Sequence, residues 1–115
     1  MNKDFNYLSG EDGTIAGFLA QGGHGCISVT ANVAPKLTSM LHYYWQKKNY
    51  KEFDKVNLRL ASLSKILFAE PNPTPAKYAL SLMGKCKADI REPLYELSPE
   101  TKKQVRKTIK DLNFI

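Results

Sequence analysis

The sequence predicts an α/β fold: one β-α-β unit with a parallel strand pair, continued by amphipathic helices. Three observations carry this. Two β-prone runs, Phe5–Leu8 and Cys26–Val33, flank a short helical segment and are joined to it by glycine-containing turns. From Pro35 onward the apolar residues recur at three- and four-residue spacing, the helical period. Proline, glycine and serine fall between these periodic stretches.

Phe5-Asn6-Tyr7-Leu8 reads as a short strand that stops at Ser9-Gly10. Asp12 can cap a helix running from about Gly13 to Ala20, and Gly22-Gly23 ends it. Cys26–Val33 alternates strictly, with Ile27, Val29, Ala31 and Val33 on one face and Cys26, Ser28, Thr30 and Asn32 on the other. Parallel strands covered on both sides read as continuous apolar runs. This alternation therefore fits either a strand lining a polar barrel interior or a solvated antiparallel strand. Pro35 opens a helix carrying Leu37, Met40, Leu41 and Tyr44. A second helix places Phe53, Val56, Leu60, Leu63 and Leu67 on one stripe. Pro71-Asn72-Pro73-Thr74-Pro75 interrupts the chain, and a third helix follows with Ala76, Ala79, Leu80 and Met83 on one side, ending at Gly84. Ser98-Pro99-Glu100 starts the last helix with a cap, a first-turn proline and an acid near the positive dipole end. Val105, Ile109 and Leu112 are its apolar residues.

At 115 residues and 43% hydrophobic, the chain is one domain at most and reads as soluble rather than disordered. No apolar run approaches the ~18 residues of a membrane helix. Asp4, Glu11 and Asp12 interrupt what a secretory signal would need, and two cysteines without metal-ligand spacing set aside disulfide and zinc scaffolds. A cytoplasmic location is expected, with no membrane partner. Residues 1–35 carry Lys3 against three acids, and residues 36–115 carry 16 basic and 8 acidic groups, so the formal +6 is unevenly spread.

Candidate chemistry is sparse. Lys102, Lys103, Arg106, Lys107 and Lys110 fall in one arc of about 140° at 100° per residue, either a phosphate-contacting stripe or the solvated face of an amphipathic helix. No nucleic-acid motif accompanies it, so no nucleic-acid partner is expected; the alternative function is a small basic helical interaction module that touches nucleic acid through this arc. His24, in Gly22-Gly23-His24-Gly25, reads as a turn histidine with a local backbone hydrogen bond, and His42 offers it no partner at a recognisable spacing. Ser9-Gly10-Glu11-Asp12 lies between the first strand and its helix, positioned either as an active-site loop or as a capping turn. Thr30 and Asn32 hold the analogous position near the end of the second strand, and Cys26 reads as a small buried filler. A Schiff-base lysine must be desolvated or flanked by cations. None of the 14 lysines lies in an apolar strand; Lys36 and Lys77 are the least solvated by pattern, and both lie at helix starts.

The run Gly22–Lys36, with Ser9-Gly10-Glu11-Asp12 upstream and Phe68–Lys77 downstream, resembles the dihydrodipicolinate synthase (4-hydroxy-tetrahydrodipicolinate synthase) family. The motifs stand in family order at family spacing, and the Leu97-Ser98-Pro99 start of the last helix also fits. The resemblance implies the C-terminal part of a (β/α)8 TIM barrel: the last two βα units over residues 1–48, then a helical tail over 49–115. Residues 5–8 and 26–33 would be strands seven and eight. Family members are lyases that condense pyruvate, held as a Schiff base on lysine, with aspartate semialdehyde in diaminopimelate and lysine biosynthesis, without a metal or other cofactor. The Schiff-base lysine, catalytic tyrosines, relay threonine and carboxylate-binding arginine belong to earlier strands. The resemblance therefore implies a truncated protein, inactive alone, with no catalytic residue of its own. Two substrate-binding positions carry over: Ile27, which matches the strand-eight residue contacting pyruvate, and Gly10, which matches the strand-seven loop glycine at the pocket mouth. Glu11 stands where the family usually has Asp, and Thr74 where it usually has Ile. The family is homo-oligomeric, which implies self-association or dependence on a complementary N-terminal piece here.

Overall fold

The computed structural model describes residues 3–115, and these form one small parallel sheet and six α-helices. The chain divides into two compact units, Met1–Ala61 and Ser62–Ile115.

In the first unit, β1 (Leu8–Ser9) pairs in parallel with β2 (Gly25–Cys26), Leu8 opposite Gly25 and Ser9 opposite Cys26. Flanking bonds extend the ladder: the His24 N–H donates to Tyr7 O at 2.9 Å and the Ile27 N–H to Ser9 O at 2.8 Å. The first strand thus lies later than the expected 5–8. Phe5 precedes the ladder, is exposed, and packs its ring 5.1 Å from that of Tyr7. A single 3₁₀ turn (Asp12–Thr14) leads into α1 (Ile15–Ala20), which buries Ile15 and Leu19. The helix stops where expected, because Gly22 takes a φ of 95°, open to glycine at little steric cost.

The expected strand over 26–33 is corrected. β2 ends at Cys26, and Thr30–Val33 forms a short helix, α2. Its apparent two-residue alternation does not mark two faces of a sheet: Val33 is 2% exposed while Ile27 is 74% exposed, and polar Thr30 is buried. The cause is tertiary. The Asp12 carboxylate accepts from the amides of Val29 and Thr30, giving a helical start the partners it lacks locally.

Pro35 stands in the first turn of α3 (Pro35–Gln46), which packs against α2 and buries Leu37 and Leu41. Asn49 caps α4 (Tyr50–Leu67), accepting from the Glu52 N–H at 3.3 Å, while Trp45 packs 5.4 Å from Tyr50 and 5.3 Å from Phe53. All five residues of the predicted stripe, Phe53, Val56, Leu60, Leu63 and Leu67, are buried.

In the second unit, α5 (Thr74–Leu82) buries Ala76 and Ala79 and ends before Gly84, where φ is 71°. It packs against α6 (Pro99–Asp111). Ser98 caps α6 as expected, its Oγ accepting from the Thr101 N–H at 3.2 Å. The Glu70 carboxylate accepts in turn from the Ser98 N–H at 3.2 Å and hydroxyl at 3.1 Å. Val105 and Ile109 are fully buried, and Leu112 nearly so. No helix among the described residues is long and apolar enough to cross a membrane.

Candidate functional site at the strand ends

Parallel strands share one carboxyl end, and in α/β folds the loops leaving that end build binding sites. Here two loops leave it: Gly10–Asp12 after β1 and Ile27–Val29 after β2. Two neighbouring acids divide the work in the first. Glu11 accepts from the Gly13 N–H at 2.9 Å and caps the 3₁₀ turn, the role expected of Asp12. Asp12 instead reaches across to the second loop. Its Oδ1 accepts from the Thr30 hydroxyl at 2.9 Å and from the Ser28 hydroxyl. Its Oδ2 accepts from the Val29 N–H at 2.9 Å and the Thr30 N–H at 3.1 Å. Donors converge on both oxygens, the arrangement a carboxylate needs when taken partly out of water. Ser9 completes the turn, its Oγ accepting from the Glu11 N–H at 3.0 Å.

Gly10 and Ile27 are brought together. The Ile27 N–H bonds the carbonyl of Ser9, the residue before Gly10. Ile27 projects its side chain outward, and a Cβ built on Gly10 would meet no atom within 4 Å. Thr30 is fully engaged by Asp12, and the Asn32 side-chain amide donates to Val29 O at 3.2 Å. Cys26 is half-buried rather than a core filler, and its Sγ lies 3.9 Å from Asp12 Oδ1. Burial, and then the Asp12 carboxylate, push its thiol pKa up. His24 does make a backbone hydrogen bond, though not a local one: its Nδ1 accepts from the Tyr7 N–H at 2.9 Å, seventeen residues away, and the two rings stack at 5.8 Å.

Sequence reasoning missed the tie from Asp12 to Ser28 and Thr30. The available signal was a pair of hydroxyls, two residues apart beyond a strand, that need an acceptor once buried. It also missed a cavity of about 10 Å³ whose lining brings Asp12, Cys26, Thr30 and Thr38 together with His42. Burial lowers the His42 pKa from its ordinary ~6.5. The unfolded chain therefore takes up this proton at higher pH than the folded chain, and stability falls as pH drops from 6.5 towards the lower folded value. Thermal midpoints recorded at pH 7.5 and 5.5 are expected to decrease on acidification, and His42→Gln to flatten that difference.

The remaining candidates are surface groups. Lys103, Arg106, Lys107 and Lys110 lie exposed on α6, opposite Val105 and Ile109. Lys102 is engaged by Glu96 and stands 5.8 Å over the Tyr78 ring. A cavity of about 610 Å³ within the second unit, lined in part by Tyr78, Glu92, Tyr95 and Lys102, contains no residue singled out as substrate-binding. Among the described residues no three His, Cys, Asp or Glu side chains are grouped to hold a metal.

Known proteins match nearly all of this chain in sequence and fold. The family profile described as the dihydrodipicolinate synthetase family covers residues 1–112. The 4-hydroxy-tetrahydrodipicolinate synthase of Bradyrhizobium diazoefficiens is 50% identical over 92% of this chain and 36% of its own length. That of Gluconobacter oxydans is 40% identical over the full chain and 39% of its own length. Among solved structures, dihydrodipicolinate synthase from Thermotoga maritima superposes with a TM-score of 0.95 at 37% identity, over 99% of this chain and 39% of that one. A monomeric dihydrodipicolinate synthase variant gives the same TM-score and identity over 99% of this chain and 38% of that one. The chain thus spans somewhat more than a third of the length of the relatives it matches, and its fold is that of the last two βα units of a (β/α)8 TIM barrel followed by an α-helical tail. By sequence and by fold, the chain belongs to the dihydrodipicolinate synthetase family.

Proposed function

We propose that this chain forms the strand-seven and strand-eight wall of a pyruvate-condensing barrel, and that it catalyses nothing without the other βα units. The reaction is the one its relatives' name and the family resemblance imply: condensation of pyruvate with aspartate semialdehyde in cytoplasmic lysine and diaminopimelate biosynthesis. One observation carries the reading. Ile27, an apolar side chain 74% exposed, sits at the carboxyl end of the strand pair beside Gly10, whose missing side chain would point into open space. A large aliphatic group is held in water there by backbone bonds, with nothing from its own unit covering it. As a pocket wall for the methyl and carbonyl carbon of pyruvate it gains a purpose, and Gly10 leaves the mouth unobstructed.

The sheet supports the same reading. Each strand has one neighbour among the described residues, which leaves two parallel edges where adjoining barrel strands would pair. The Schiff-base lysine and proton relay belong to those other units. What this wall needs to complete it is therefore the first six βα units, and the substrate is pyruvate.

Reconstitution tests this. The chain is co-expressed with the first six βα units of the Bradyrhizobium diazoefficiens relative, and condensation is assayed. Activity in the pair and in neither part alone is expected. Ile27→Ala in the pair is expected to raise the KM for pyruvate by about tenfold, an apolar contact of ~1.4 kcal/mol. A co-purified pair without condensation would overturn the proposal.

A further inference from the structure

We infer that Asp12 is a positioning residue that fixes Ile27 by gripping the backbone immediately beyond it. This rests on the reading of Ile27 as a pocket wall.

An exposed side chain with few neighbours cannot orient itself by packing, so its direction must come from the backbone on either side. On the N-terminal side, the Ile27 N–H is fixed to Ser9 O at 2.8 Å, the last rung of the parallel ladder. On the C-terminal side the ladder has ended, and the next three residues all turn to one carboxylate. Ser28 gives Asp12 its hydroxyl, Val29 its amide, and Thr30 both amide and hydroxyl. Ser28 Oγ also accepts from the Ala31 N–H at 2.9 Å, closing the turn on itself. The two oxygens separate these roles, Oδ1 taking the hydroxyls and Oδ2 the amides, so the carboxylate fixes both side chains and main chain.

The Asp12 grip also explains why this strand end can be short. Two residues of ladder would leave the exit free to fray, and the local cap from Ser28 reaches Ala31 but not the amides of Val29 and Thr30. Asp12 takes those two, from a loop seventeen residues earlier. Ser28 and Thr30 are consumed in this way, which leaves Ile27 as the group the β2 exit presents outward.

Asp12→Asn is the test, because it keeps shape while turning an NH2 group towards N–H and O–H donors. In the 115-residue chain, amide exchange at Val29 and Thr30 is expected to accelerate about tenfold, with displaced Ile27 methyl and amide resonances. In the reconstituted pair, the KM for pyruvate is expected to rise about tenfold while kcat moves much less. Leu19→Ala, in the same unit but outside this network, is the control: it should lower stability and leave the Ile27 resonances and KM in place. Unchanged Ile27 resonances in Asp12→Asn, or an equal displacement in Leu19→Ala, would overturn the inference. Should Asp12→Asn fail to fold, Thr30→Val removes one hydroxyl bond isosterically and is expected to displace Ile27 in the same direction. An inactive wild-type pair would count against the pocket reading alone, since the resonances of the isolated chain still decide whether Asp12 positions Ile27.

Discussion

Treating the 115-residue chain with pyruvate and borohydride is expected to leave its mass unchanged. Trapping requires a lysine amine that is unprotonated often enough to attack the ketone and is held where the carbinolamine can lose water. Twelve of the 14 lysines are exposed. The two that are half-buried, Lys77 and Lys102, are engaged at Nζ by the Asp89 carbonyl and the Glu96 carboxylate. Each amine already donates to an oxygen of its own unit, not of the unit that holds the strand pair. Among the described residues no lysine stands on β1, on β2 or in the two loops that leave them. The same experiment on the reconstituted pair should place the adduct on the other polypeptide. A pyruvate adduct on this chain alone, located by peptide mass mapping, would contradict the proposed division of labour.

Ile109→Ala is expected to lower stability by about 2–5 kcal/mol, read as a reduced urea midpoint with an unchanged slope. Ile109 has no exposed surface, and it lies on the side of α6 that also buries Val105. Truncation removes buried methyl and methylene groups and leaves a void that the paired helices α5 and α6 cannot fully close. Ile109→Val should cost only ~0.5–1.5 kcal/mol, and Lys110→Ala, one residue on and exposed, should stay within about 0.5 kcal/mol. Equal losses at 109 and 110 would show that burial on α6 is not what holds this unit.

The helices were legible because their signals are local. The stripe from Phe53 to Leu67 needs only the 3.6-residue period, and the start at Ser98-Pro99 needs only the chemistry of a helix N-terminus. The strand ends were not legible, because what decides them is seventeen residues away. Ile27, Val29, Ala31 and Val33 have the side chains of a strand, yet an acceptor in another loop supplies bonds that start a helix at Thr30. The same distance effect exchanged the roles of Glu11 and Asp12. Either acid could cap the turn by pattern; tertiary geometry sends the second across the sheet end. Gly10 and Ile27 were singled out through the family resemblance, since neither a glycine nor an isoleucine carries chemistry that a pattern can identify.

The setting of Cys26 has a practical consequence. Its thiol is partly shielded, and burial together with the adjacent Asp12 carboxylate holds it protonated, whereas Cys86 is exposed. Thiolate, not thiol, is the form that maleimides and iodoacetamides attack. The chain therefore carries its own selective labelling handle: a dye or spin label directed to Cys86 reports from the segment between α5 and α6, and the strand-end loops keep their native side chains without a cysteine having to be removed.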